Sequence, residues 1–172
     1  MPRGLQDRAA IVTGAARGIG GATAARLVED GARVLLVDRE PAVEATAAAL
    51  GAPALVLDVT EPGAGERMVG AALSAFGRLD ILVNNAGISG SAVGDDLSLE
   101  GWNRLMGINA TGVFLGTTLA AQEMAKAGRG SIVNISSIMG FVGGPEGHPG
   151  YAASKGAVRL LTKAAAVRRG CG

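Results

Sequence analysis

The sequence predicts a doubly wound α/β domain of three layers, with a mostly parallel sheet in the middle and helices on both faces. Three observations carry this. Short apolar runs and longer segments of helical spacing alternate five times along the chain. The runs are continuously apolar instead of alternating, as strands covered on both faces must be. Glycines stand at or just past the ends of the helical segments, where a C-terminal cap favours a left-handed residue.

The first run, Ala9–Thr13, stops at Gly14; the helical pattern Ile19–Asp30 follows and closes at Gly31. Arg33–Asp38 is the second strand, with Ala42–Leu50 as its helix and Gly51 as the cap. Ala54–Asp58 and Gly65–Phe76 repeat the unit and end at Gly77. Ile81–Asn84 is the fourth strand, and its helical segment Leu99–Ala127 ends at Gly128. Ser131–Ser136 and Tyr151–Arg169, with Gly170 beyond, complete the series. Such a series pairs its strands in parallel through right-handed crossovers. Two glycine-rich loops, Ile88–Leu97 and Gly140–Gly150, each follow a strand. Both therefore lie at the carboxyl edge of the sheet, where ligands bind in this architecture. No linker, repeat or low-complexity stretch divides the chain, so residues 1–172 read as one domain.

Composition narrows the function. Hydrophobic residues make up 48% and charged residues 18%, the balance of a globular chain with a core. Sixteen basic against fifteen acidic side chains leave a net charge of +1, which gives nucleic acid or an anionic membrane nothing to hold. Aromatic residues at 3% provide no stacking platform for single strands. The single cysteine, Cys171, has no internal disulfide partner, and no cluster of ligand types suggests a metal. The N-terminus lacks the apolar core and cleavage site of a signal peptide, and no apolar run is long enough for a membrane helix. A cytoplasmic protein is the expectation.

The stretch Val12–Leu27 holds four glycines between a strand and a helix. A tight turn at a helix N-terminus presents backbone N–H groups to an anion. In that reading Gly14 permits the turn, Gly18 lets the backbone approach a pyrophosphate, and Gly20 permits close packing of the helix. The spacing alone fits a structural turn equally well. Asp38 adds context: it closes the second strand eighteen residues past Gly20, where a carboxylate can bind an adenosine ribose.

Thr13-Gly14-Ala15-Ala16-Arg17-Gly18-Ile19-Gly20 departs from the GxGxxG pattern and resembles the TGxxxGxG of the short-chain dehydrogenase/reductase family. Further stretches agree in order: Asp58-Val59, Asn84-Asn85-Ala86-Gly87, the run beginning at Asn109, the run Ser131–Ser137, and Tyr151-Ala152-Ala153-Ser154-Lys155, which matches YxxxK. The resemblance implies a Rossmann-type fold and an NAD-dependent oxidoreductase. It implies cofactor contacts from Gly14, Arg17, Gly18, Ile19 and Gly20, from Asp38, Asp58 and Val59, from Asn85, Ala86 and Gly87, and from Tyr151 and Lys155. Family members are usually longer, so it also implies that the last sheet strands and a substrate lid lie outside these 172 residues, with Ser131–Ser136 left as a sheet edge.

Tyr151 and Lys155 are four apart on one helix face. Without the other motifs, such a pair on an amphipathic helix is a surface feature. Ketone reduction needs a proton delivered to the carbonyl oxygen, and a phenol ionising near pH ~10 is a poor donor–acceptor at neutrality. Lowering that by about three units takes roughly 4 kcal/mol, which a lysine cation about 4 Å away supplies at an effective dielectric near 20. The resemblance assigns the same roles: Tyr151 as acid/base, Lys155 as its electrostatic partner and ribose anchor, Ser137 as hydrogen-bond donor to the substrate oxygen, and Asn109 as holder of a water in a proton relay. Ser136 competes with Ser137; the second serine is the family's. Asn84 and Asp80 are explained equally well by a strand end and a strand start. His148, the only histidine, is expected in a solvent-exposed loop, with a place in the substrate pocket as the alternative.

The resemblance thus points to a secondary alcohol or ketone as substrate, cyclic or steroid-like, and to a homo-oligomer, dimer or tetramer. One alternative is a 3-oxoacyl-carrier-protein reductase, which prefers NADPH and would want a basic residue at Asp38. The other is a catalytically inactive NAD-binding regulatory protein, which would not need Ser137, Tyr151 and Lys155. A methyltransferase on a similar fold has no use for YxxxK.

Overall fold

A computed structural model of the protein describes residues 4–94, 98–143 and 148–169. Five parallel strands, β1 (Ala9–Thr13), β2 (Arg33–Asp38), β3 (Ala54–Val56), β4 (Ile81–Asn84) and β5 (Ser131–Asn134), form one sheet in the order β3-β2-β1-β4-β5. The helices are α1 (Gly18–Glu29), α2 (Val43–Ala49), α3 (Ala64–Phe76), α4 (Leu99–Met106), α5 (Gly112–Lys126) and α6 (Pro149–Arg169). The expected doubly wound fold is what the chain adopts.

Strand faces explain the layers. Ala10, Val12, Val34 and Leu36 pack with Ala24 of α1 and with Val43 and Ala47 of α2 on one side. Ile11, Leu35, Val37 and Leu82 pack with Met68 and Ala72 of α3 and Ala120 and Met124 of α5 on the other. Every residue of β1 is buried, so the continuous apolar run is that of a central strand. The described helices include none long and apolar enough to cross a membrane.

The chain leaves β1 toward β2 on one side and reaches β4 on the other. The carboxyl ends of β1 and β4 therefore flank the switch point of the sheet, where a crevice opens. At the opposite edge, Asp80 fixes the strand starts. Its buried carboxylate accepts from Ala9 N at 3.0 Å and Arg8 Nη1 at 3.1 Å, and is paired with Arg78.

Several expected boundaries shift. β3 ends at Val56, and although Leu57 N still donates to Asp38 O at 2.8 Å, the Asp58 carboxylate turns back to cap Thr60 N at 2.9 Å. β5 ends at Asn134, with Ile135 N prolonging the ladder to Asn84 O at 3.0 Å. The single helix expected over Leu99–Ala127 is two helices joined by a wide π-type segment, Gly107–Thr111, in which Gly112 N reaches back to Gly107 O. The first glycine-rich loop contains a short 3-10 turn, Gly90–Ala92, and another, Ile138–Gly140, leads into the second loop. Gly170 and Cys171 lie outside the described residues.

Candidate active site

A cleft of about 500 Å³ lies over the carboxyl ends of β1 and β4. Its floor is the turn after β1. Gly14 has φ +67°, and a Cβ there would stand 2.8 Å from Asn85 Nδ2 and 2.9 Å from Ala86 Cα. Only glycine fits both the backbone and the space. Asn85 staples the turn to the end of β4: its Nδ2 donates to Thr13 O at 2.9 Å and to Gly14 O at 3.2 Å. The buried Thr13 hydroxyl accepts from Asn85 N and Ala86 N, both at 3.0 Å. Gly20 packs against this same turn: a Cβ on it would overlap Gly14 O and stand 2.6 Å from Asn85 Nδ2.

Beyond the turn, exposed Arg17, Gly18 and Ile19 line the cleft and begin α1. The first N–H groups of a helix have no acceptor within it, and α1 has no acidic side chain in its first turn. Such a helix start can hold an anion. Arg17 has no ion-pair partner among the described residues, whereas Arg39 stands 3.4 Å from Glu40.

Asp38 lines the next part of the wall, held by two main-chain donors: Ala16 N to Oδ2 and Glu40 N to Oδ1, each 3.0 Å. These fix the carboxylate and leave each oxygen a further lone pair. Asp58 and Val59 also line the cleft.

The far end is built by α6 and the strand ends. Ala86, Gly87, Tyr151 and Lys155 all face the cleft. Lys155 is 5% exposed; its Nζ donates to Ile135 O at 2.8 Å and lies 5.9 Å from the centre of the Tyr151 ring. Burial pushes its ammonium below the ordinary lysine range. A Cβ on Gly87 would stand 3.5 Å from that Nζ and 3.2 Å from Asn109 Oδ1, so a small residue is needed here.

The two serines separate. Ser136 Oγ donates to Lys155 O at 2.8 Å and so holds α6. Ser137 Oγ accepts from Met139 N at 3.2 Å, and its hydroxyl hydrogen has no acceptor among the described residues. Asn109 is fully buried behind the cleft. Its Oδ1 accepts from Ile88 N at 2.8 Å, and its Nδ2 donates to Ile88 O at 2.9 Å and Ser154 Oγ at 3.1 Å. Gly20, Asn109 and Ser137 do not line the main cleft; the other expected site residues do.

His148 departs from expectation. It is half-buried, with Nδ1 accepting from Gly150 N at 3.1 Å, instead of lying in solvent. Sequence reasoning also gave no role to Thr13 or Ser154, and weighed Ser136 only as the competitor of Ser137. Each acts through a hydroxyl contact to a residue distant in sequence, which leaves no local pattern.

The chain matches the short chain dehydrogenase family over residues 8–169. It is 44% identical to a 3-alpha-(or 20-beta)-hydroxysteroid dehydrogenase of Mycobacterium tuberculosis over 171 residues, which is 98% of this chain and 65% of that protein. It is 41% identical to an NADP-dependent (R)-specific alcohol dehydrogenase of Lentilactobacillus kefiri, over 95% of this chain and 67% of that one. The crystal structure of levodione reductase superposes with a TM-score of 0.88 at 36% identity, covering 96% of this chain and 67% of the other. The chain thus spans about two thirds of the length of these relatives. With its parallel sheet, its stapled glycine turn and Tyr151 and Lys155 at one cleft, it belongs to the short-chain dehydrogenase family.

Proposed function

We propose that residues 1–172 form the dinucleotide-binding and catalytic unit of an oxidoreductase that interconverts a secondary alcohol and a ketone with NAD(H), using Tyr151 as acid/base. One observation carries this reading: Tyr151 and Lys155 face the same cleft as the glycine turn and Asp38. Bound there, a nicotinamide would accept or deliver the hydride. Tyr151 passes the proton to or from the substrate oxygen, and Ser137, whose hydroxyl hydrogen has no acceptor among the described residues, donates to that oxygen. Lys155 serves as the electrostatic partner of Tyr151 and anchors the ribose. The Asn109 carboxamide is already committed to Ile88 and Ser154, so a relay water falls to its main-chain carbonyl. Relatives named for a hydroxysteroid and for levodione support cyclic or steroid-like alcohols as the class to test first.

NAD is favoured by Asp38. Its two fixed oxygens suit a ribose hydroxyl, whereas the 2′-phosphate of NADP, carrying about −1.5 to −2 charge, would meet the carboxylate at a cost on the order of several kcal/mol before screening. Arg17, without an ion-pair partner among the described residues, and the NADP-dependent relative favour the other cofactor. Exposed Leu99, Trp102 and Phe114 on α4 and α5 support a homo-oligomer of the intact protein.

The test is a panel of cyclic, steroidal and open-chain secondary alcohols with NAD⁺ and NADP⁺, following absorbance of the reduced nicotinamide in wild type, Tyr151→Phe and Asp38→Ala. Tyr151→Phe is expected to lose turnover while still binding cofactor. Asp38→Ala is expected to shift preference toward NADP⁺. Turnover retained in Tyr151→Phe refutes the mechanism, and a wild-type preference for NADP⁺ refutes the role of Asp38.

A further inference from the structure

Helix α6, which carries Tyr151 and Lys155, is capped by a histidine where Ser, Thr, Asp or Asn is usual. The His148 main-chain oxygen accepts the first intrahelical bond, from Ala152 N at 3.1 Å, and its side-chain Nδ1 accepts from Gly150 N at 3.1 Å. Pro149 takes the first helical position, where its missing N–H costs nothing. An accepting Nδ1 bears no hydrogen, so the neutral ring has its proton on Nε2. That atom is buried, with no partner among the described residues.

The ring is wedged between two glycines. A Cβ on Gly90 would overlap His148 Cβ and stand 2.7 Å from Cγ; one on Gly150 would stand 3.2 Å from His148 Cε1 and 3.2 Å from Leu105 Cδ1. Gly90 begins the turn just after Ile88 and Ser89, which line the cleft. His148 therefore ties the cleft wall after β4 to the helix that presents Tyr151.

A second proton can enter only at Nδ1, where it would face the Gly150 N–H, donor against donor. The cation would also sit at the positive end of a 21-residue helix. The Gly90–Ala92 turn has no charged side chain. Helix α4 carries exposed Glu100 and Arg104, with Arg104 Nη1 3.4 Å from Ala92 O. The start of α6 carries Tyr151 and Lys155. None of these is bonded or paired to the imidazole among the described residues; Glu146 lies outside them. Histidine is the side chain whose ordinary charge change falls between pH 5 and 8.

We infer that His148 is a pH-gated positioning residue: neutral, it caps α6 and holds Tyr151 at the cleft; protonated, it releases the first turn and Tyr151 with it. The inference rests on the acid/base role given to Tyr151, and one of its two readouts does not depend on that role. In the intact protein, amide hydrogen exchange at Gly150 and Tyr151, corrected for intrinsic rates, is measured across acid to neutral pH beside kcat/KM for the best alcohol of the panel. In wild type amide protection and kcat/KM are expected to fall together with acidification, by roughly fivefold for a cap of about 1 kcal/mol. His148→Asn keeps an acceptor that does not titrate, and is expected to hold both readouts level. His148→Leu is expected to show the low-protection state at every pH. An acid loss in His148→Asn equal to wild type overturns the inference, as does Gly150 protection that ignores pH in wild type. Protection that follows His148 while Tyr151→Phe still turns over upholds the gated cap and overturns only the role of Tyr151.

Discussion

Gly20 in α1 and Gly70 in α3 are both helical, yet the same change to alanine is expected to move stability in opposite directions. An interior helical glycine costs about 0.5–1 kcal/mol relative to alanine. A Cβ on exposed Gly70 meets nothing within 4 Å, so Gly70→Ala should recover that cost. In a domain of this size that raises Tm by about 1–4 °C. On Gly20 the new Cβ would overlap Gly14 O and stand 2.6 Å from Asn85 Nδ2 and 2.8 Å from Gly14 C. Neither neighbour yields freely, because Asn85 Nδ2 is bonded to Thr13 O and Gly14 O. Overpacking costs about 1–3 kcal/mol. Displacing Asn85 forfeits two hydrogen bonds at about 0.5–1.5 kcal/mol each. Against a helix gain below ~1 kcal/mol, the net is a loss of about 3 kcal/mol, or a Tm lower by about 6–12 °C. Circular dichroism melts read both variants, and a fluorescence titration with NAD⁺ should show weakened binding in Gly20→Ala alone. A Gly20→Ala melt equal to or above wild type would refute the packing argument.

Thr13→Val leaves the Asn85 and Ala86 N–H groups without their acceptor, at about 1–3 kcal/mol each; urea unfolding should show the loss and Thr13→Ser should restore most of it. At Asp80, burial opposes the charge, but hydrogen bonds from Arg78, Ala9 N and Arg8 outweigh it and hold the carboxyl well below the usual carboxylate range. A depressed folded value means stability that is present above the ordinary aspartate range and lost as pH falls through it. Asp80→Asn should therefore cost about 3–5 kcal/mol at neutral pH and flatten the acid limb of stability; coincident acid-unfolding curves would contradict this. Lys155 is pushed the other way for a base: its buried cation is a cost at neutral pH that lifts as pH rises through its lowered folded value. Lys155→Met should thus abolish turnover while leaving Tm unchanged or higher, and a large drop in Tm would count against it.

What the sequence makes legible is local. β1, β2 and β4 begin and end at their expected residues because unbroken apolar runs between Gly, Asp and Asn leave the backbone no other buried arrangement. Gly31, Gly51, Gly77 and Gly128 all have positive φ, as their capping positions required. The glycine turn, Asp38 and the Tyr151–Lys155 pair were readable because each motif has a fixed spacing, and the fold brings them to one cleft. What escaped depends on contacts between distant segments. The Thr13 hydroxyl under Ala86, Ser136 against the Lys155 carbonyl, and the place of Asn109 behind Ile88 have no signature at either partner. His148 was misplaced for the same reason: a histidine two residues before a glycine reads as loop until the helix it caps is seen.

The wide turn at Gly107–Thr111 has a consequence for how this chain tolerates insertion and deletion. It holds one residue more than the regular helix would need, so α5 runs out of phase with α4 by about 100°. That phase shift is what lets Leu105 meet Gly150 on one side of it while Gly112 sits under Val59 and Gly116 under Asn84 on the other. Removing one residue between 107 and 111 would close the turn and keep the phase, whereas forcing all five residues into regular helix would turn all of α5 by that angle. Leu115 or Thr117 would then arrive where only Gly116 fits, 2.6 Å from Asn84 Oδ1 for a Cβ, and Asn109 would swing away from Ile88. Straightening at constant length, though it improves the local hydrogen bonding, would thus dismantle the wall of the cleft, so the irregular turn is itself part of what sets the spacing of the site.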